Sequence, residues 1–182
     1  MKSKEDNVLQ LLYNSPKHWR FEKLLKEAKI TRPQLTRWLK IFQKQGIVKR
    51  IKPKGKMPYY VQDFHNPRFV ISKKLFAMHR FEQSGLLEHL ASLPHAKVVV
   101  IFGSFTKGDW HKESDIDIFV YGTDENFEQG KYEIKLKREI QVHTIAMAED
   151  LKKMEHLLPS IVSGEFIKGG LQDLEVEIHA KT

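Results

Sequence analysis

Val98-Val99-Val100-Ile101-Phe102-Gly103-Ser104 leads through a polar loop to Ser114-Asp115-Ile116-Asp117-Ile118-Phe119-Val120-Tyr121. The first run is continuously apolar and mostly β-branched, which predicts a strand buried on both faces. It stops abruptly at Gly103-Ser104. The second run alternates acidic and apolar residues before turning wholly apolar, and it reads as another strand. Side chains repeat every two residues along a strand, so Asp115 and Asp117 are predicted to project from one face. Two carboxylates on an otherwise apolar strand are costly unless a positive charge compensates them. Magnesium, or manganese, is the natural partner, because hard oxygen ligands suit it and it also holds substrate phosphates. Gly103 allows a tight turn and close approach to a ligand. Ser104 offers a hydroxyl and a backbone N–H to a phosphate, aided by a helix starting there.

Working outward from this stretch, residues 1–62 carry 16 Lys/Arg against 4 Asp/Glu, a net of +12. The remaining 120 residues hold 15 basic and 19 acidic side chains, a net of −4. This asymmetry directs a polyanionic partner to the front third. Three apolar stripes at helical spacing follow one another there: Val8 to Leu12, Phe21 to Ala28, and Leu35 to Phe42. Thr31 is placed to cap the third, Pro33 fits its first turn, and Gly46 stops it. Ile47 to Ile51 and Pro58 to Val61 then read as two strands around a turn at Lys52-Pro53-Lys54-Gly55-Lys56. The front third thus resembles the winged helix-turn-helix domains of bacterial and archaeal transcriptional regulators. That resemblance implies DNA as partner, with Arg32, Gln34, Thr36 and Arg37 as base-reading candidates. Lys40, Lys44, Lys49, Arg50, Lys54 and Lys56 are the phosphate-contacting ones. Protein contact or dimerisation is the alternative use of such a domain.

The spacing of buried strand, Gly103-Ser104, Lys107-Gly108 and Ser114-Asp115-Ile116-Asp117 closely resembles a known signature. It is that of the DNA polymerase β-type nucleotidyltransferases, in particular the minimal ones, with Gly-Ser-x-Ala-Arg-Gly and then Ser-Asp-Ile/Leu-Asp. Thr106 and Lys107 replace the usual alanine and arginine. The resemblance covers residues 96–170 and implies metal-dependent transfer of a nucleoside monophosphate, with ATP as first choice, to an acceptor hydroxyl. Asp115 and Asp117 would be the catalytic metal carboxylates. Gly103, Ser104, Lys107, Gly108 and Ser114 would hold the nucleotide. Active members add a third carboxylate from a later strand. Here that strand is Glu139 to Ile145, whose Gln141 and His143 should face the aspartates. Neither is a carboxylate, although His143 can ligate a metal as neutral imidazole. Three functions therefore stay open: a nucleotidyltransferase, a DNA-binding regulator whose degenerate transferase domain binds nucleotide without turnover, and an antitoxin that adenylylates a HEPN-type toxin.

The expected architecture is α+β: a winged helix over residues 1–62, a helical connector over 63–95 and a small mixed-sheet domain over 96–182. Ser84-Gly85 is a break within the connector, Ala148 to Pro159 reads as a helix, and Ile161 to Gly170 as a closing helix. The last residues, from Leu171, carry no functional signal. The chain has no cysteine, which excludes disulfides and thiolate metal sites. No apolar run reaches the ~20 residues of a membrane span. The polar start, Met-Lys-Ser-Lys-Glu-Asp, has no signal core, so the expectation is a cytoplasmic protein without a membrane partner, and a homodimer is compatible with the winged helix.

Overall fold

Residues 3–174 are described by the structure, a computed structural model. The chain divides into two units: Met1–Leu75 with Asp109–Lys112, and Phe76–Gly108 with Glu113–Thr182.

In the first unit α1 (Lys4–Asn14), α2 (Phe21–Ala28) and α3 (Arg32–Lys44) precede a hairpin of β1 (Val48–Ile51) and β2 (Tyr59–Gln62). Ser3 begins α1: its hydroxyl accepts from the Asp6 N–H at 3.0 Å while the Asp6 carboxylate accepts from the Ser3 N–H at 3.1 Å. Leu12, Leu24, Leu35, Leu39 and Phe42 are fully buried, each worth about 1.5–3 kcal/mol. Gly46 has φ +74°, and a Cβ there would meet the Asn66 amide nitrogen at 2.0 Å, so glycine is required on two grounds. Trp19 exchanges backbone hydrogen bonds with Tyr60, both 2.8 Å, adding a one-residue antiparallel bridge to β2. The Gln62 side chain donates to the carbonyls of Leu12 and Ser15, tying β2 to the end of α1. Residues 109–112 also belong to this unit. Trp110 is buried there, edge-on to Tyr13 at 6.0 Å, with the Lys73 ammonium 4.8 Å from its ring centre.

Helix α4 (Pro67–Ser84) contributes to both units and is separated from α5 (Leu86–Ser92) by Gly85 at φ +82°. The second unit is built on a mixed sheet ordered β5-β4-β3-β6. Here β3 is Ala96–Phe102, β4 Ile116–Gly122, β5 Ile140–Ile145 and β6 Glu165–Lys168. Strand β3 is antiparallel to both β4 and β6, whereas β4 and β5 are parallel and joined through α7 (Gln129–Leu136). Val98 to Phe102 are all buried because β3 lies inside the sheet, consistent with its unbroken apolar run. One face of the sheet packs Val98, Val100, Phe102, Phe119 and Tyr121 against Leu151, Ile161 and Leu174. Fold class is therefore α+β with N-terminal helices and a small mixed sheet.

Two local expectations are corrected. Ala148–Met154 is a 3₁₀ segment, and Pro159 does not end a helix but sits in the first turn of α8 (Leu158–Val162), where its missing N–H costs nothing. Ile161 to Gly170 is not a closing helix. It breaks at Gly164, where a Cβ would lie 2.6 Å from the Ile101 carbonyl, and continues as β6 on the edge of β3. Residues 175–182 of the expected third domain lie outside the described residues. Among the described residues no helix is long and apolar enough to cross a membrane.

Candidate functional site

Strand β3 delivers the chain to Gly103 at φ +77°, ψ −143°, a conformation that favours glycine. A Cβ at Gly103 would stand 2.1 Å from Oδ2 of Asp117, so the carboxylate lies directly against the glycine backbone. One turn of helix follows, α6 (Ser104–Lys107), closed by the Gly108 N–H donating to the Ser104 carbonyl at 2.9 Å. Thr106 is buried and its hydroxyl donates to the Gly103 carbonyl at 3.0 Å. Its hydroxyl closes the turn that the resemblance gives to an alanine. At four residues α6 has little dipole, so attraction for a phosphate rests on Ser104 and Lys107 themselves. Lys107 is exposed and reaches the Ser160 hydroxyl at 3.4 Å.

Asp115 immediately precedes β4 and Asp117 lies within it, two residues apart on one side of the extended chain. Burial pushes the Asp117 carboxyl above the usual carboxylate range; His143 opposes this, neighbouring Asp115 adds to it, and Lys107 opposes it. Strand β5 pairs in register beside them, Asp117 opposite Gln141 and Phe119 opposite His143. The Gln141 Nε2 donates to Asp115 Oδ2 at 2.7 Å. The His143 ring lies 5.6 Å from that of Phe102. Among the described residues no three His, Asp or Glu side chains form a group able to hold a metal ion. Asp115 and Asp117 are the hard oxygen donors that this strand pair offers a cation, since Gln141 turns its Nε2 donor toward Asp115.

Arg138 carries no role in the sequence reading. Lys137 ends α7 in the left-handed conformation, φ +57°, and the next residue turns toward the acidic loop. The Arg138 guanidinium donates to the Ser114 carbonyl at 2.9 Å and lies 5.2 Å from the Phe105 ring centre. Burial lowers its pKa, against the fields of Glu113 and Asp115. It thereby links α6 to the entrance of β4. The Glu139 carbonyl accepts from the Ile116 N–H at 2.9 Å.

The basic candidates of the first unit divide by their partners. Arg32, Thr36, Arg37 and Lys40 line an open groove on the outer face of α3 with Pro33 and Ile41. Arg32 also pairs with Glu22 at 2.7 Å, both about two-thirds exposed. Gln34 accepts from the Thr31 N–H at 3.1 Å and so caps its own helix. Lys49 is held by the buried Asp63 at 2.6 Å. Lys44, Arg50, Lys54 and Lys56 are exposed, the last two flanking Gly55 at the hairpin turn.

Residues 86–171 match the family model described as "Polymerase beta, Nucleotidyltransferase". That segment contains α5, the four-stranded sheet and every member of the acidic site, and it has a nucleotidyltransferase-like fold. One solved structure, described as "Crystal structure of the toxin-antitoxin with AMP-PNP", is 19% identical, covering 56% of this chain and 77% of that chain with a TM-score of 0.35. A comparison with curated proteins finds no match.

Proposed function

We propose that the second unit is a nucleoside triphosphate-binding domain that does not turn its ligand over, and that the first unit is a winged helix that binds DNA. The protein is then a nucleotide-responsive DNA-binding regulator. The observation that carries this reading is the Gln141 amide on Asp115, standing at the strand position from which a third carboxylate would act. Asp115 and Asp117 would hold one magnesium, which when bound neutralises triphosphate charge. Gly103 provides backbone without a side chain beside Asp117, and Ser104 and Lys107 offer a hydroxyl and an ammonium to the phosphates. The exposed basic face of α3 and the lysine-rich hairpin turn favour a duplex over a protein as partner of the first unit.

The test is calorimetric titration of ATP with magnesium and then manganese, on the parent chain and on Asp115→Asn/Asp117→Asn. Metal-dependent binding in the parent, lost in the variant, with pyrophosphate release no faster than in the variant, supports the reading. Pyrophosphate release by the parent alone would replace the sensor with an enzyme. Absence of binding with either metal removes the nucleotide from the proposal.

A further inference from the structure

The two halves of the candidate nucleotide site come from separate stretches of the second unit, and neither is self-supporting. Helix α6, which carries Ser104 and Lys107, is a single turn, too short to persist without tertiary support. It is seated by its buried Phe105 and Thr106. Phe105 packs against the Phe81 ring at 5.2 Å, and the Arg138 guanidinium lies 5.2 Å from its ring centre. Asp115, the first carboxylate, stands outside β4, on the residue before it. Its backbone is fastened on both sides by the chain between α7 and β5. The Arg138 guanidinium donates to the Ser114 carbonyl, and the Ile116 N–H donates to the Glu139 carbonyl, both at 2.9 Å.

Arg138 thus touches both halves: the apolar base of the phosphate-binding turn and the residue before the first carboxylate. A planar guanidinium can do this at once, lying against a ring while its in-plane N–H groups donate to a carbonyl. Its charge also attracts Asp115 and Glu113, and so competes with any cation those carboxylates would draw. A side chain that opposes the cation electrostatically serves the site by geometry.

We infer that Arg138 is a positioning residue of the nucleotide site, setting the separation between the turn at Ser104 and Lys107 and the carboxylates of Asp115 and Asp117 without itself holding the ligand. The inference rests on the nucleotide reading of the second unit. A triphosphate has to meet both halves together and so registers their separation, whereas a free cation meets the carboxylates alone.

The test compares the full parent chain with Arg138→Met and Arg138→Lys. Manganese alone is titrated by electron paramagnetic resonance, which counts the free ion, and ATP in excess manganese by calorimetry. In Arg138→Met the two affinities should move in opposite directions. Removing a positive charge near Asp115 should tighten manganese alone about two- to fivefold. ATP should weaken at least about tenfold, the usual cost of losing a residue that orients a site from behind. A damaged fold weakens both ligands together, so the opposed signs separate positioning from stability. Lysine keeps the charge and can reach the carbonyl or the ring, without the plane that serves both. Arg138→Lys should therefore bind manganese within about twofold of the parent and ATP about threefold more weakly. A parent that binds no ATP removes the nucleotide reading, and this inference with it. A parent that binds ATP, with both variants its equal, leaves that reading standing and overturns the role of Arg138. Manganese and ATP weakening together in either variant also overturns it, because Arg138 would then serve the fold as a whole.

Discussion

Replacing Gln141 by glutamate converts the hydrogen bond to Asp115 into a repulsion. In the parent an amide N–H meets a carboxylate oxygen at 2.7 Å. In Gln141→Glu two carboxylates approach to about the same separation, with Asp117 adding a third negative charge on the same strand pair. Gln141 is exposed, so the water-like limit of about 1 kcal/mol for a unit pair near 4 Å is closer than the buried one. Adding the lost hydrogen bond, worth about 1 kcal/mol, gives a metal-free destabilisation of roughly 1–3 kcal/mol and a melting temperature lower by several degrees. A divalent cation reverses the sign, because three carboxylates now converge where two did. The variant should therefore regain at least the parent's melting temperature in manganese and bind manganese at least about tenfold more tightly, a gain of about 1.4 kcal/mol. Thermal melts in chelator and in manganese, with calorimetric titration of the metal, measure both. A variant as stable as the parent in chelator would refute the geometry, since the two side chains would not then be in contact. A variant destabilised in chelator but indifferent to manganese would refute the proposition that the glutamine position is what the metal site lacks.

Gly103→Ala must move the Asp117 carboxylate as well as strain a backbone at φ +77°, so it should cost more than about 1 kcal/mol in melting experiments and abolish metal-dependent ATP binding in calorimetry. Tyr13 donates to or accepts from the Ser72 hydroxyl at 2.7 Å, and burial pushes its phenol up to about 12. The folded chain then keeps a proton that the unfolded chain releases near pH 10, so stability falls by about 2–3 kcal/mol as pH rises from 10 toward 12; Tyr13→Phe should flatten that fall, and ultraviolet titration should lose its last-titrating tyrosine. On a duplex selected from a random-sequence pool, Arg37→Ala should cost about 1–3 kcal/mol for the selected site only. Lys54→Ala should instead weaken all duplexes alike and reduce the salt slope by about 1, both read by fluorescence anisotropy.

The parts of this molecule legible in sequence are those set by local periodicity. The apolar, β-branched run Val98 to Phe102 suited an interior strand, and the alternation around Asp115 and Asp117 set their common side before any neighbour was known. Period two also placed Gln141 toward the aspartates, but not its contact with Asp115 rather than Asp117. That choice depends on the parallel register of β4 and β5, a long-range quantity with no local signature. Arg138 was hidden for a related reason, because its direction follows from a left-handed Lys137, an uncommon conformation for lysine. Strand β6 is four residues on a sheet edge, too short for alternation to separate it from the last turns of a helix. The common side of Thr36, Arg37 and Lys40 on α3 was readable from helical spacing, whereas the engagement of Gln34 in capping and of Lys49 by Asp63 was not.

Trp110 has a consequence for how the polypeptide can be made. It lies in a four-residue excursion, Asp109–Lys112, assigned to the first unit although the chain on either side of it belongs to the second. A ribosome releases residues in order, so the amino-terminal unit cannot complete its own interior when its first 75 residues have emerged. It must wait until β3 and α6 have also been synthesised and the tryptophan delivered to Tyr13 and Lys73. Gene fragments cut after Leu75 would therefore encode an amino-terminal piece without its buried tryptophan, and shuffling of such pieces between genes would be penalised at birth.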